Sequence, residues 1–146
     1  MGAAPRPRQR QNGTVPVPGH SSDCFVCGFL GIESQVADGC AWVELVLDAR
    51  FTGPPGHVHG GVTAALFDEL LGAAVLSRTP VAYTATLTLD YRSPWALGTR
   101  ARMDVRTEWL SERKLDARGE LVAADGTLLA EARGLWVVPR SRSFSG

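Results

Sequence analysis

One carboxylate stands out. Asp68 lies within residues 62–77, VTAALFDELLGAAVLS, where nearly every neighbour is Ala, Leu, Val or Phe. A carboxylate among such residues is costly to bury unless it is paired or performs chemistry. Burial disfavours the charged form of a carboxyl group and makes it a stronger base near neutral pH. Asp68 is therefore the candidate general base. The plainer reading is that Asp68 and Glu69 form a solvated stripe, since carboxylates in clefts point to function only statistically. Ahead of them stand His59, Gly60 and Gly61. Glycines at a helix start admit a ligand or another backbone closely. The N–H groups there lack intrahelical acceptors and suit a developing oxyanion. Gly60 and Gly61 are candidate donors of that kind, against the common alternative of a tight turn.

The spacing of these groups constrains the assembly. Gly60 and Asp68 are eight residues apart, about 12 Å along a helix at 1.5 Å per residue. A base and an oxyanion donor serving one carbonyl must both lie within about 3 Å of the reacting atoms. One chain does not place both there. If both are catalytic, two helices from two chains lie side by side and antiparallel, giving two equivalent sites in an isologous dimer.

Other reactive types are weaker candidates. His57 and His59 are close in sequence, but a third ligand at sensible spacing is missing and no HExxH occurs. His59 is read as fixing its loop by hydrogen bonding, and His57 as exposed. Cys24-x-x-Cys27, with His20 before and Cys40 after, has the donor types of a structural zinc site. A single CxxC without a second pair is weak, and the βαβ setting of a redox pair is absent. The two are read as packing cysteines, and no metal site is expected. Neither a phosphate-binding Gly-rich loop nor a G-x-S-x-G elbow is present, so covalent serine catalysis is not indicated.

The positioning elements follow from periodicity. Residues 62–77 are apolar nearly all round, which reads as a helix with most of its surface buried. Residues 31–37 and 40–47 flank Asp38-Gly39, a hairpin signal. The second run alternates weakly, which suggests cover on both faces. Residues 52–56, TGPPG, are a loop. After Pro80 the period switches to two, with strands at 84–94, 99–110, 115–123 and 128–138, the last pair joined at Asp125-Gly126. The order β-β-α-β-β-β-β predicts an α+β domain with one buried helix on an antiparallel sheet. That domain is expected over 21–139, between a disordered Pro- and Arg-rich tail at 1–20 and a loose tail at 140–146.

Composition excludes several classes. Acidic and basic residues balance at 15 each in 146 residues, so nucleic-acid binding is not expected. No apolar run reaches membrane-spanning length, and no secretory h-region opens the chain. With three cysteines, the cytoplasm is the expected compartment.

At His59-Gly60-Gly61 followed by Asp68, the chain resembles the hot-dog-fold thioesterases, in particular their PaaI-like and THEM-like branch. The matching stretches are GPPGHVHGGVTAALFDELLG (53–72), TATLTLDYRSPWALG (84–98) and DGTLLAEARGLWVV (125–138). The likeness covers about 24–138. It implies a hot-dog fold, an antiparallel sheet wrapped around a central helix. It also implies dimers with a continuous sheet, often paired into tetramers, and hydrolysis of acyl-CoA or acyl-carrier thioesters without a cofactor other than the coenzyme A of the substrate. Carried over by position, Asp68 is base or nucleophile and the Gly60 N–H polarises the carbonyl, the two coming from different chains. Thr84 orients the water beside Asp68, and His59 supports the loop.

Two departures stand beside it. Gly53 occupies the place where many relatives carry Asn or Gln, although the THEM-like branch shares GPPG. Glu69 neighbours Asp68, and some hot-dog enzymes use Glu. Successive helix residues point about 100° apart, so only one of the two faces a pocket. On this reading coenzyme A lies along the dimer groove, with Arg92 the candidate for a phosphate contact against its plainer role as an exposed arginine. Phe67, Leu71, Tyr83 and Trp95 are candidates for lining the acyl pocket. The rivals are a hot-dog hydratase, whose D-x-N-P-x-H-like signature residues 48–59 do not satisfy, and a non-catalytic acyl-CoA-binding module.

Overall fold

The computed structural model describes residues 23–140. The expected tails at 1–20 and 140–146 lie outside these residues, Arg140 excepted. The centre is one helix, α1, Gly60–Leu76. Its sequence carries no apolar stripe but an apolar surface nearly all round. Accordingly the sheet surrounds it, and α1 touches all six strands. Leu66, Phe67, Leu70, Leu71, Ala73, Ala74 and Val75 on α1 are fully buried. Each large side chain among them contributes about 1.5–3 kcal/mol by leaving water.

The strands are β1 (Gln35–Ala37), β2 (Cys40–Leu45), β3 (Tyr83–Tyr91), β4 (Ala101–Ser111), β5 (Lys114–Ala123) and β6 (Leu128–Val137). They form one antiparallel sheet in the order β1-β2-β4-β5-β6-β3. This is the hot-dog arrangement, in the element order expected from the sequence. The Asp38-Gly39 turn has positive φ at both residues, 35° and 80°, as a two-residue hairpin of matching twist requires. That turn is tied to the helix end: Ser77 Oγ accepts from Gly39 N at 2.7 Å and donates to Ala74 O at 2.6 Å.

Three expectations shift. The first strand begins at Gln35 rather than at 31, because Gly31 takes φ 71° and Ile32 N–H turns back to Val26 O at 3.2 Å. The fourth strand begins at Ala101, after a turn in which Thr99 N–H donates to Ala96 O. β2 is covered on one face only, with Ala41 and Val43 buried and Cys40 and Glu44 exposed.

β3 is an edge strand with most of its residues exposed. It also contains a bulge. Tyr83 and Thr84 pair with Val137 and Trp136, but Thr86 pairs with Leu135, leaving Ala85 as the extra residue. Beyond the bulge, Leu87 and Leu89 pack against the core. In an unbroken strand Thr84, three residues before Leu87, faces away from the helix. The bulge returns it to the helix side, opposite the buried Trp136. On the outer sheet face, Arg106, Arg118 and Arg133 lie opposite one another across β4–β6, and Asp104, Glu120 and Glu131 form a parallel acidic row.

Candidate active site

The loop before α1 is held at many points. His59 N–H donates to Phe51 O at 2.8 Å, Gly53 N–H to His57 O at 3.0 Å, and Val58 N–H to Trp95 O at 2.8 Å. Gly53 is required here: a Cβ on it would stand 2.6 Å from His59 Cα. A side chain such as Asn or Gln does not fit this loop as it is folded. His59 is the N-cap of α1, and its Nδ1 accepts from Gly61 N at 2.8 Å. That bond satisfies one of the helix's first N–H groups. It also occupies the Gly61 N–H, so that group is not open to a substrate.

Gly60 differs. Its N–H begins the helix and meets no acceptor among the described residues. It stands at the positive end of the α1 dipole. Its carbonyl is held by Tyr91, whose hydroxyl donates to Gly60 O at 2.7 Å. Sequence reasoning assigned Tyr91 no role, although this tyrosine stands in the stretch 84–98 that carries the family resemblance. A cleft of about 440 Å³ opens beside Gly60, lined chiefly by Pro54, Val58, Thr63, Trp95, Leu129 and Ala130. Its walls are mostly apolar, as a site for an acyl or other apolar chain is.

Asp68 lies two turns along α1. Thr84 Oγ1 donates to Asp68 Oδ1 at 2.9 Å. β3 thus runs back along α1 and grips it twice, through Tyr91 at its start and Thr84 at its middle. The burial expected for Asp68 is not supplied by its own chain: both Asp68 and Thr84 are exposed. Oδ1 is engaged by the hydroxyl, and the carboxylate faces solvent beside the open edge of the sheet.

Glu69 points elsewhere. Its carboxylate lies 3.0 Å from Cys27 Sγ and 3.7 Å from Cys24 Sγ. These thiols sit in and before a π turn, Phe25–Phe29, ahead of β1. Desolvation, then the carboxylate of Glu69, hold the Cys27 thiol above its ordinary pKa. Asp68 and Glu69 therefore occupy different flanks of α1. Cys40, the expected companion of the CxxC, is exposed on β2 and outside this cluster, and His20 lies outside the described residues.

The remaining candidates are placed as follows. Arg92 borders the cleft, with its guanidinium donating twice to Glu131, at 3.0 and 3.1 Å. Phe67 and Leu71 are fully buried in the core and do not line the cleft, because the sheet closes over that side of α1. Trp95 does line it, and Tyr83 is exposed on β3. His57 Nδ1 lies 2.9 Å from Pro55 O, so the two histidines face different partners. No helix among the described residues is long and apolar enough to cross a membrane.

Comparison with known proteins bears on this geometry. The sequence profile of the thioesterase superfamily matches residues 55–130, just over half of the chain. An acyl-coenzyme A thioesterase of Xenopus laevis, THEM4, is 34% identical over 86 residues, 58% of this chain. The chain spans 39% of that relative's length. A point mutant of the phenylacetic acid degradation protein PaaI from Thermus thermophilus superposes with a TM-score of 0.71 at 29% identity, over 77% of this chain and 97% of the other. The E. coli PaaI protein from the phenylacetic acid degradation operon superposes with a TM-score of 0.73 at 20% identity, over 80% of this chain and 86% of the other, a likeness of fold.

Proposed function

The chain belongs to the thioesterase superfamily, and from that premise we propose that it hydrolyses acyl-CoA thioesters at sites shared between two copies. The observation that carries the reading is the Thr84 hydroxyl held on the Asp68 carboxylate by the bulge in β3. A carboxylate fixed by one hydrogen bond keeps its other oxygen for a water molecule. In this scheme Asp68 takes a proton from that water as its oxygen attacks the thioester carbonyl. The oxyanion forms against the Gly60 N–H of the other copy. Collapse expels the coenzyme A thiolate, which takes up the proton and leaves as the thiol, with the free acid as second product. Apart from the water consumed, the scheme uses only groups of the two copies and of the substrate.

Two features support the shared site. Gly60 and Asp68 lie on one helix, about 12 Å apart at 1.5 Å per residue. The outer edge of β3 is long and unpaired among the described residues, and such an edge readily pairs with another strand. Two copies joined there bring two α1 helices together antiparallel and cover both Asp68 side chains. The charge rows on the outer sheet face match their own copy after a two-fold rotation, Arg against acid, which suits pairing of dimers into tetramers. The acyl group enters the cleft beside Gly60. Glu131 grips one edge of the Arg92 guanidinium and leaves the other for a phosphate at the rim. Gly61 and His59 act by shaping the turn, and Glu69, turned toward Cys24 and Cys27, takes no part in the chemistry. The cytoplasm is the compartment this reading expects.

The test is thiol release from a panel of short, long and aryl acyl-CoAs by the wild type and Asp68→Asn. Turnover by the wild type and its loss in the variant, with binding retained, supports the scheme. Binding without turnover in the wild type makes the protein an acyl-CoA-binding module. Equal activity in both removes Asp68 from the chemistry.

A further inference from the structure

We propose that Cys24, Cys27 and Glu69 hold a zinc ion that clamps the N-terminal π turn to the middle of α1. Each side chain offers one donor atom, and the three lie within 4.8 Å of one another. In tetrahedral zinc, with Zn–S about 2.3 Å and Zn–O about 2.0–2.2 Å, sulfur and oxygen stand about 3.6 Å apart. Here Cys24 Sγ is 3.7 Å and Cys27 Sγ 3.0 Å from Glu69 Oε1. Both sulfur–oxygen distances are within an ångström of that value.

The cluster is built from two distant pieces of chain. The C-x-x-C turn brings its sulfurs together locally, and the Cys27 N–H points at Cys24 Sγ from 3.5 Å. Such an N–H steadies a metal-bound thiolate. Glu69 arrives from α1, 42 residues beyond Cys27. Two sulfurs and one carboxylate oxygen are donor types suited to zinc, and a water molecule completes the tetrahedron. Binding displaces two thiol protons to solvent, and the ion with two thiolates and a carboxylate carries a net charge of minus one. The ion touches no reacting atom. It braces a different flank of α1 from the one that meets Thr84, so its role is structural and independent of the hydrolase reading.

The experiment uses the full chain purified without chelator. Metal content is measured by mass spectrometry, zinc affinity by competition with a fluorescent chelator, and site chemistry by the absorption of the cobalt(II) form. We expect one zinc per chain, thiolate-to-cobalt charge transfer with tetrahedral d–d bands, and a rise in Tm of several degrees on adding zinc. Cys24→Ser and Cys27→Ser abolish the stoichiometric site, Glu69→Gln weakens it by roughly tenfold or more, and Cys40→Ser leaves it intact. Absence of zinc binding or of the charge-transfer band in the wild type overturns the proposal, whatever the variants do. So does retention of the site in the Cys24→Ser/Cys27→Ser double variant. Unchanged affinity in Glu69→Gln overturns the carboxylate ligand and with it the clamp on α1.

Discussion

Replacing Gly60 by proline removes one N–H and little else. His59, before it, has φ −61° and ψ 131°, the extended conformation a residue preceding proline prefers. Gly60 has no positive φ, and a Cβ there meets Tyr91 at an ordinary 3.6 Å. Proline is favoured at the first position of a helix, where the missing N–H has no intrahelical acceptor. Gly60→Pro therefore folds with a Tm close to wild type. Loss of one oxyanion donor costs about 10²- to 10³-fold in kcat. The stronger result comes from mixing. When Gly60→Pro and Asp68→Asn chains are co-expressed at equal levels, a site drawing each group from a different chain is intact with a probability of one half times one half. Two nearly inactive parents then yield about one quarter of the wild-type rate in thiol-release assays, in dimers and tetramers alike. If both groups served a site from one chain, every site in the mixture would carry a defect. A mixture no more active than its parents refutes the two-chain argument, and a fully active Gly60→Pro refutes the oxyanion assignment.

Further outcomes follow from single contacts. Thr84→Val removes the hydrogen bond to Asp68 and lowers kcat about tenfold, the worth of one such bond, while Thr84→Ser retains most of it; steady-state kinetics of both variants check this. Gly134→Ala places a Cβ 2.5 Å from the Trp136 ring and 2.6 Å from the Thr86 carbonyl oxygen, and lowers stability by about 1–3 kcal/mol, as overpacking does, measured by urea unfolding. In zinc-free protein at pH 8, alkylation followed by peptide mapping modifies exposed Cys40 first. Cys27 reacts last, because burial and Glu69 raise its thiol pKa and leave less thiolate.

Much of the fold is written in local pattern. The Asp38-Gly39 and Asp125-Gly126 turns, the switch to period two after Pro80, and the apolar run after Gly60 each report a short-range requirement of the backbone. What the pattern hides is tertiary. Asp68 reads as buried because its neighbours are apolar, yet those neighbours turn inward and leave it exposed in the single chain. Phe67 and Leu71 read as pocket residues, but the sheet closes over them. The separation of Asp68 from Glu69 rests on where the π turn docks, and Gly61 on a histidine ring folding back, neither of which periodicity records. The hydroxyl of Thr84 was marked only through the family resemblance, because the alternation of β3 taken at face value turns it away from the helix.

The bulge at Ala85 makes the placement of that hydroxyl a matter of strand register as well as residue identity. Leu87 and Leu89 anchor the far part of β3 to the core, so a change at the bulge leaves them in place and alters only what precedes it. Pairing Ala85 with Trp136 would iron out the bulge and swing Thr84 to the outer face, its chemistry intact and its partner gone. Removing Ala85 instead makes the strand regular with Thr84 two residues before Leu87, still toward the helix. The site thus tolerates the loss of one codon at this point but not a slip of one residue in pairing, with every residue of the site still present in the sequence.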